Sequence, residues 1–402
     1  MSTRDNTIAD SAATNNAATN DSAAANNAVN SDTANSITAT SDTATDRAAL
    51  PGGTLPPYDS FLLVSFGGPE GPDDVMPFLR NVLRGKNVPE QRMLEVAEHY
   101  QHFDGISPIN AQNRDLLDAI RSRFKREGID LPVYWGNRNW HPMLPDTIGR
   151  MRDDGCRRAL AFFTSMFSCY SGCRQYRENI AEAQKQVGDD APIIEKVRMG
   201  FNHPGFVATM TGSLAAAIKQ LETMNVDADH ATVLFTAHSI PMSMADNCDY
   251  EKQLTEAARL VAQRCGVSDW KLVFQSRSGP PQQPWLEPDV CDEIATRHDG
   301  GGLRGVVVIP IGFVSDHMEV MYDLDEEAAQ LCAKLGVPMV RAATAGTSID
   351  FVDMIVDLVR ERMTARPTRP AVGDLGPWHD VCPKDCCTYT PRRPGRPAAA
   401  TT

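Results

Sequence analysis

The chain has 402 residues, of which 42% are apolar and 23% are charged, and this composition fits a globular protein with two domains of ordinary size. Its formal net charge of -13 argues against a nucleic-acid-binding protein and permits cationic ligands. No window approaches the roughly 18 consecutive apolar residues that a membrane-spanning helix needs, so we expect no transmembrane segment.

The first fifty residues consist almost entirely of Ala, Asn, Thr, Ser and Asp. Such a segment cannot bury enough apolar surface to offset the entropy of ordering, so we predict a disordered tail over residues 1–55. It lacks the apolar stretch of a secretory signal, and its acids and scarcity of Arg disfavour a mitochondrial presequence. The sequence therefore predicts a cytoplasmic protein.

Strand and helix patterns alternate through the rest of the chain. The strand SFLLVS is followed by helical patterns in DDVMPFLRNVL and INAQNRDLLDAIRSRFKREG, the strand PVYWGN, the helix PDTIGRMRDDG and the strand RRALAFFTS. The alternation repeats through the strands ATVLFTAHS, KLVFQSR and GLRGVVVIPIGF. This pattern is typical of parallel strands with crossover helices, so we predict an α/β fold with two open parallel sheets. The predicted units are residues 56–215, residues 216–346, a helix within 347–365 and a tail over 366–402.

Three polar segments follow predicted core strands, where an open parallel sheet has its ligand crevice. One of them, FQSRSGPPQQPWLEPDV, carries Gln275, Ser276 and Arg277, and it can also be a loop that hydrogen bonds from Arg277 hold in place. TAHSIP contains His238, and VSDHMEVMYDLDEEA contains Glu319, Asp323 and Glu327, which lie four residues apart and would repel one another on one helix face. Alone, such a charge run is usually a solvated face, and a lone histidine at a strand end is usually satisfied by backbone. Because these last two segments share one crevice, they indicate a site for a divalent metal such as Fe(II) or Mg(II).

The tail sequence DVCPKDCCTYTP places Cys382, Cys386 and Cys387 within six residues of one another. Thiols so close together in a cytoplasmic chain favour a thiolate metal site that lacks one ligand over disulfides. A zinc site with four cysteine ligands fits the spacing as well as an iron-sulfur cluster does.

Seven motifs occur in the order in which the ferrochelatases have them, over about residues 58–365: LLVSFGGPEGPDDVMPFL, RGKNVP, YQHFDGISPIN, YWGNRNWHP, FTAHSIP, FQSRSGPPQQPWLEPD and IGFVSDHMEVMYDLD. The chain thus resembles this family of enzymes, which insert ferrous iron into a porphyrin during heme biosynthesis. The resemblance implies two Rossmann-like domains with a cleft between them and a final helix that returns to the first domain. It also implies porphyrin and ferrous iron as substrates, with other heme-pathway enzymes as partners.

Carried over by this resemblance, His238 and Glu319 bind the metal or remove the pyrrole protons, and Asp323 and Glu327 lead the metal toward them. Phe66 stands where some bacterial relatives have a tyrosine near the metal, so packing on the macrocycle is its remaining role. The porphyrin-binding segments contain Ser65, Phe66, Arg84, Lys86, Asn137 and Arg138.

The resemblance further implies a 2Fe-2S cluster held by the three tail cysteines and one interior cysteine. Cys169 and Cys173 are the interior candidates, and the resemblance favours Cys173 with Cys382, Cys386 and Cys387. The motifs GNRNW and SRSGPPQQPWLEPD are closer in sequence to those of bacterial enzymes that use coproporphyrin III. The resemblance therefore favours coproporphyrin III as substrate, which would yield coproheme. The alternatives are a protoporphyrin IX ferrochelatase, a porphyrin or metal carrier without turnover, and a sirohydrochlorin or cobalt chelatase on the same fold.

Overall fold

The computed structural model describes residues 58–84, 88–279 and 281–389. The predicted N-terminal tail, Lys86 and residues 390–402 lie outside these ranges. Within them, no helix combines the length and the apolar composition that crossing a bilayer would require.

The first sheet has four parallel strands in the order β2-β1-β3-β4. They are β1 (Ser60–Ser65), β2 (Val133–Asn137), β3 (Arg158–Phe163) and β4 (Ile193–Lys196). Every residue of β1 is buried, as expected for a central parallel strand covered by helices on both faces. The helices of this half are α1 (Pro72–Val82), α2 (Glu90–His102), α3 (Ile109–Arg126), α4 (Leu144–Asp153) and α5 (Gln175–Val187).

The second sheet is also parallel, in the order β6-β5-β7-β8, so both halves use the same strand order. Its strands are β5 (Ala231–His238), β6 (Trp270–Gln275), β7 (Gly305–Ile309) and β8 (Met339–Arg341). The remaining helices are α6 (Pro204–Glu222), α7 (Met242–Ala245), α8 (Tyr250–Arg264), α9 (Val290–Asp299), α10 (Met318–Val320), α11 (Ala329–Leu335) and α12 (Ile349–Met363). The two parallel sheets with crossover helices confirm the predicted α/β fold.

Helix α6 joins the two halves. The predicted boundary between residues 215 and 216 falls inside it, so the chain passes from one half to the other along one continuous helix. Its buried side chains, which include Phe206, Met210 and Leu214, pack toward β7 and β8 on one side and α12 on the other. Helix α12 in turn packs between α6 and α3.

The acidic segment after β7 differs from the single α-helix that its spacing predicts. The short helix α10 leads into a π-helix, Met321–Ala328, and then into α11. Glu319 and Asp323 are buried, and Glu327 is half-buried, so the stripe is not a solvated face. Because π-helical turns are rare and concentrate at functional sites, this geometry indicates that the segment has a functional role.

Helices α2 and α5 and strand β4 are among the elements that the sequence analysis did not predict. Helices α2 and α5 carry mostly polar residues, so their apolar periodicity is weak. Strand β4 has four residues and lies at the edge of its sheet, where burial is incomplete. Short or polar elements give little periodic signal, and here tertiary packing selects the structure.

The tail forms no helix or strand in residues 366–389, yet hydrogen bonds fix it to both halves. Asn202 donates from Nδ2 to the carbonyl of Gly376 at 2.7 Å. The amide of Asp374 donates to Glu256 of α8 at 2.7 Å. Arg174 donates from Nη1 to the carbonyls of Lys384 and Cys386, both at 3.0 Å.

Candidate active site

An open cleft lies where the carboxyl ends of both sheets meet. Its walls include residues that follow β1, β2, β3, β5 and β7, namely Phe66, Gly67, Arg138, Thr164, Ser165, His238, Gly312 and Phe313. Gly67 adopts a φ of +83°, and a Cβ there would lie 2.9 Å from the Cβ of Asn137, so this turn requires glycine. The topology therefore brings separate strand ends to one ligand crevice, as open parallel sheets do.

His238 lines this cleft on the second sheet's side, and Glu319 contacts it from an adjoining smaller pocket. The Nε2 atom of His238 lies 3.6 Å from the Oε2 atom of Glu319, and the two side chains are 13% and 7% exposed. The Nδ1 atom of His238 contacts the carbonyl oxygen of Ser239. Since a carbonyl only accepts, Nδ1 carries the hydrogen, and Nε2 of the neutral ring is the nitrogen that can bind a metal or a proton.

Burial governs the charge of His238 and of a second histidine beside Glu319, His317. It lowers the pKa of His238 to about 4, so the ring is neutral at neutral pH. His317 lies with Nδ1 4.0 Å from the same Oε2 atom of Glu319. Burial and the neighbouring His238 lower its pKa to about 4 as well. Two neutral imidazoles and one carboxylate thus converge on a single point at the cleft.

The acidic line continues behind Glu319. Gln275, the last residue of β6, donates from Nε2 to the backbone carbonyl of Glu319 at 3.3 Å and to Oδ2 of Asp323 at 3.2 Å. The hydroxyl of Ser276 also donates to Oδ2 of Asp323. Burial and the carboxylates of Asp323 and Asp289 raise the pKa of Glu327 to about 7. The three predicted acids therefore lie one behind another, from the cleft outward.

The predicted porphyrin-binding residues divide into two groups. Phe66 and Arg138 line the cleft. Ser65 and Asn137 are fully buried, and each hydrogen-bonds inside the first half, with Asn113 and Asn110 respectively. Arg84 is exposed after the end of α1, and Lys86 lies outside the described residues.

Arg138 has an unusual environment for a guanidinium. It donates to Oδ1 of Asn179 at 2.7 Å and to the carbonyl of Ser171 at 3.3 Å. The guanidinium carbon lies 4.4 Å from the centre of the Tyr176 ring and 5.6 Å from that of Phe66. Within the described part of the chain, no carboxylate lies within ion-pair distance of it. Burial lowers the pKa of Arg138, which is the direction expected for a charge held against aromatic rings without an anion.

The cysteines of the tail meet the interior of the first half. The Sγ atoms of Cys173 and Cys382 lie 4.0 Å apart, and those of Cys386 and Cys387 lie 3.5 Å apart. Two thiolates bound to one tetrahedral metal at about 2.3 Å would lie about 3.8 Å apart, so both pairs suit shared metal ions. His379 joins this group, with its Nε2 atom 3.9 Å from Sγ of Cys386. Hydrogen bonds from Cys173 and then His379 hold the pKa of Cys382 below the usual thiol range.

The structure adds three residues that the sequence analysis did not select. His317 lies within the SDHME motif but was not distinguished from its neighbours there. Asp289 reads as an ordinary helix N-cap, and His379 stands three residues before the first tail cysteine, a spacing that can signal a Cys/His metal site. The proximity of Asp289 to Glu327 has no local sequence signal, because the two residues belong to different helical segments.

Comparison with known proteins identifies the family of the chain. The sequence profile of the family described as Ferrochelatase matches residues 58–363. A protein named Ferrochelatase from Rhodopirellula baltica is 66% identical over 350 residues, which are 86% of this chain and 99% of that protein. A protein named Coproporphyrin III ferrochelatase from Streptomyces coelicolor is 50% identical over 366 residues, with 86% of this chain and 96% of that protein covered.

Among solved structures, SirB from Bacillus subtilis with Fe3+ aligns with a TM-score of 0.48 at 11% sequence identity, covering 76% of this chain and 96% of that one. The family profile spans nearly the whole described region, and the sequence relatives align over nearly their full length. The chain therefore belongs to the ferrochelatase family and is an enzyme that inserts ferrous iron into a porphyrin in heme biosynthesis.

Proposed function

We propose that His238 and Glu319 are the catalytic pair of this ferrochelatase and hold the ferrous ion as it enters the macrocycle. The observation that carries this proposal is the 3.6 Å approach of Glu319 to His238, which itself lines the cleft at the carboxyl ends of the strands. A neutral imidazole nitrogen and a carboxylate oxygen are suitable ligands for Fe(II). Both groups are well enclosed, so the ion exchanges its water for protein ligands before it reaches the porphyrin.

Metal insertion also displaces two pyrrole N–H protons, and each needs an acceptor. Nε2 of His238 is able to accept one, because its partner nitrogen Nδ1 is committed to the carbonyl of Ser239. Since burial lowers the pKa of His238 to about 4, the imidazolium would pass its proton on readily. Oε2 of Glu319 is the nearest carboxylate oxygen that can take that proton, and Nε2 of His238 can then accept the second pyrrole proton.

The test compares H238A and E319Q with the parent chain in anaerobic insertion of Fe(II). General acid–base groups typically contribute about 10²- to 10⁴-fold to rates, so each variant should lose insertion by at least about a hundredfold. Porphyrin binding, followed by quenching of porphyrin fluorescence, should persist in both. Near-normal turnover in either variant would contradict the assignment, and it would favour a carrier that needs no catalytic pair.

For the first half, we propose that Phe66 packs on one macrocycle face and that Arg138 binds a propionate. The support for Arg138 is a half-buried guanidinium that lines the cleft beside two aromatic rings. Ser65 and Asn137 would act indirectly, because their hydrogen bonds hold the chain around the ends of β1 and β2. Arg84 does not line the cleft and would at most contact substrate groups outside it, and the role of Lys86 stays a prediction.

We further propose coproporphyrin III as the porphyrin. Proteins named Coproporphyrin III ferrochelatase from two Streptomyces species are 50% and 49% identical to the chain. A substrate with four propionates also suits a cleft that offers a guanidinium. Side-by-side insertion into coproporphyrin III and protoporphyrin IX distinguishes the two substrates, and a preference for protoporphyrin IX would overturn this choice.

At the tail we propose a 2Fe-2S cluster held by Cys173, Cys382, Cys386 and Cys387. Four thiolates are the usual ligand set of such clusters, and the two sulfur pairs have separations suited to one metal each. When bound, the cluster would supply a cross-link between the tail and the π-helix Tyr170–Arg174, which contains Cys173. His379 offers a fifth donor beside Cys386, so the fourth ligand needs its own test.

Metal and sulfide analysis of the anaerobically purified chain decides between the cluster and a zinc site. Iron, acid-labile sulfide and visible absorption support the cluster, whereas a colourless protein with one zinc refutes it. C387S and H379A then separate the ligands. Loss of iron and sulfide in C387S, with retention in H379A, supports the four-cysteine set, and the opposite result replaces Cys387 by His379.

A further inference from the structure

Two cationic side chains, Lys196 and Arg177, lie beside the tail cysteines and have no part in the chemistry proposed for the cleft. Lys196 is the last residue of β4 and pairs in register with Ala161 of the neighbouring strand β3. The chain that leaves β3 leads to the π-helix Tyr170–Arg174, so Lys196 and Cys173 lie at or beyond the carboxyl ends of adjacent strands. Arg177 follows Cys173 by four residues, a spacing that brings two side chains to one side of a continuous helical segment.

Lys196 is a buried cation with no acidic partner among the described residues. It is only 7% exposed, and no carboxylate in that part of the chain lies within ion-pair distance of its ammonium group. Its side chain makes one hydrogen bond within the described ranges, a long one of 3.4 Å to the carbonyl of Val197. An ammonium group has three donors, and a buried charge is costly unless an opposite charge compensates it. The environment of Lys196 therefore indicates an anionic group beside it.

Arg177 has a similar environment. Its Nε atom is buried and has no hydrogen-bond partner in the part of the chain that the structure describes. No carboxylate of those residues forms an ion pair with its guanidinium. Arg174, the neighbouring cation, differs because it pairs with Glu178 at 2.9 Å. Since buried donors in folded proteins nearly always have a partner, the Nε atom of Arg177 is a second and independent sign of an anionic ligand.

The tail thiols are the groups on which both cations act. Hydrogen bonding with Cys173 and then with His379 lowers the pKa of Cys382. The positive charges of Lys196 and Arg177 lower it further. Lys196 also acts on Cys173, against the hydrogen bond with Cys382 and the burial that raise the pKa of this thiol. Both cations therefore favour the thiolate, which is the form of cysteine that binds a metal.

We propose that Lys196 and Arg177 neutralise the charge of the iron-sulfur cluster, and that Lys196 raises its reduction potential. This inference rests on the cluster proposed above and extends it to residues that are not ligands. Two ferric ions, two sulfides and four thiolates carry a net charge of minus two, which the two uncompensated cations match. If His379 replaced one thiolate, the net charge would be minus one, and one cation would have no counterpart. The charge balance therefore favours the four-cysteine ligand set.

Reduction of the cluster adds a third negative charge. One electron from an external reductant converts one ferric ion to ferrous, and no bond to a thiolate forms or breaks. A fixed cation stabilises the more negative reduced state more than the oxidised state, and this effect is strong where burial lowers the dielectric. Lys196 is the more enclosed of the two cations, so its removal should have the clearer effect on the potential.

The variant K196M tests the proposal, because methionine has no charge and is an unbranched side chain that adapts to a buried position. The matched control is K185M, which removes a lysine of α5 whose side chain is 67% exposed. Both variants change the net charge of the chain equally, so an effect of net charge alone would appear in both. K196R retains a cation at the site and therefore separates the charge of Lys196 from the packing of its side chain.

The measurement is a potentiometric titration of the anaerobically purified full chain with dithionite and redox mediators, followed by visible absorption and by the EPR signal of the reduced cluster. K196M should make reduction about tenfold less favourable, which lowers the midpoint potential by about 59 mV for one electron. Solvent and salt screen an exposed charge, so K185M should stay within about twofold of the parent, and so should K196R. Equal potentials in K196M and K185M, or equal shifts in K196M and K196R, would overturn the proposal.

Cluster content keeps the proposal testable if K196M loses its cluster. Iron and acid-labile sulfide at the parent's level in K196R, with loss in K196M, would then support the role of the charge, whereas equal loss in both variants would overturn it. The parent chain separates this inference from the proposed function. A parent without iron and sulfide refutes the cluster and this inference together, whereas a cluster with the same potential in the parent and in K196M refutes this inference alone.

Discussion

Replacement of Arg138 by glutamine should weaken porphyrin binding through the loss of one charge-assisted contact. The guanidinium lines the cleft, and among the described residues no carboxylate neutralises it. A hydrogen bond to a charged group contributes about 1.5 to 3 kcal/mol, which corresponds to a change in Kd of about 10- to 150-fold. Glutamine keeps a polar side chain at the site but cannot bind a propionate as an ion pair.

R138Q should also change the stability of the porphyrin-free protein, through contacts that do not involve the substrate. R138Q loses the cation–π contact with Tyr176 at 4.4 Å, a contribution of about 0.5 to 2 kcal/mol. It also removes a guanidinium charge whose burial, seen in its lowered pKa, costs free energy in the folded protein. Removing this cost opposes the loss of the cation–π contact. R138Q also loses the hydrogen bonds to Asn179 and to the carbonyl of Ser171, so we expect the free energy of unfolding to fall by about 1 to 3 kcal/mol. Unchanged binding of a neutral porphyrin would show that weaker binding of the acid is not a consequence of unfolding.

Fluorescence titration with coproporphyrin III and with its neutral tetramethyl ester measures the effect directly. R138Q should weaken binding of the acid but leave that of the ester within about twofold, because only the acid has anionic groups. R150Q is the matched control: Arg150 lies over the Tyr134 ring at 5.8 Å, exposed and away from the cleft. Equal weakening of acid and ester, or no weakening, would refute a propionate contact.

Two further predictions concern stability. E361Q should lower the free energy of unfolding by about 3 kcal/mol and the Tm by about 4 °C, since the bidentate pair of Glu361 with Arg198 is 3% and 0% exposed. D118N, which removes an exposed partner of Arg121, should cost less than about 0.5 kcal/mol, and equal Tm losses would contradict this reasoning. Glu327 has a pKa raised from 4.5 to about 7, so its contribution to stability is complete below pH 4.5 and is lost as pH rises through 7. Denaturation of metal-free E327Q should therefore show a flatter pH dependence over that interval, and an unchanged slope would count against the raised pKa.

Much of the candidate site could be predicted from the sequence because its residues lie at or soon after the ends of core strands. His238 ends β5, and Glu319 follows β7 by ten residues, so strand patterning alone placed both at one edge of a parallel sheet. The direction of a side chain at a strand end was not accessible. Adjacent residues on a strand point to opposite faces, which is why Arg138 lines the cleft while Asn137 is buried in the sheet.

Sequence by itself determined the α/β alternation, the position of the proposed catalytic pair beyond the strand ends and the presence of a tail cysteine group, because periodicity and spacing are local properties. Tertiary structure decided which distant groups meet. It brought Cys173 to Cys382 across 209 positions and set Asp289 beside the acids of the π-helix. It also selected a π-helix where four-residue spacing predicts an α-helix. These outcomes depend on packing between elements that are far apart along the chain, and no local pattern records such contacts.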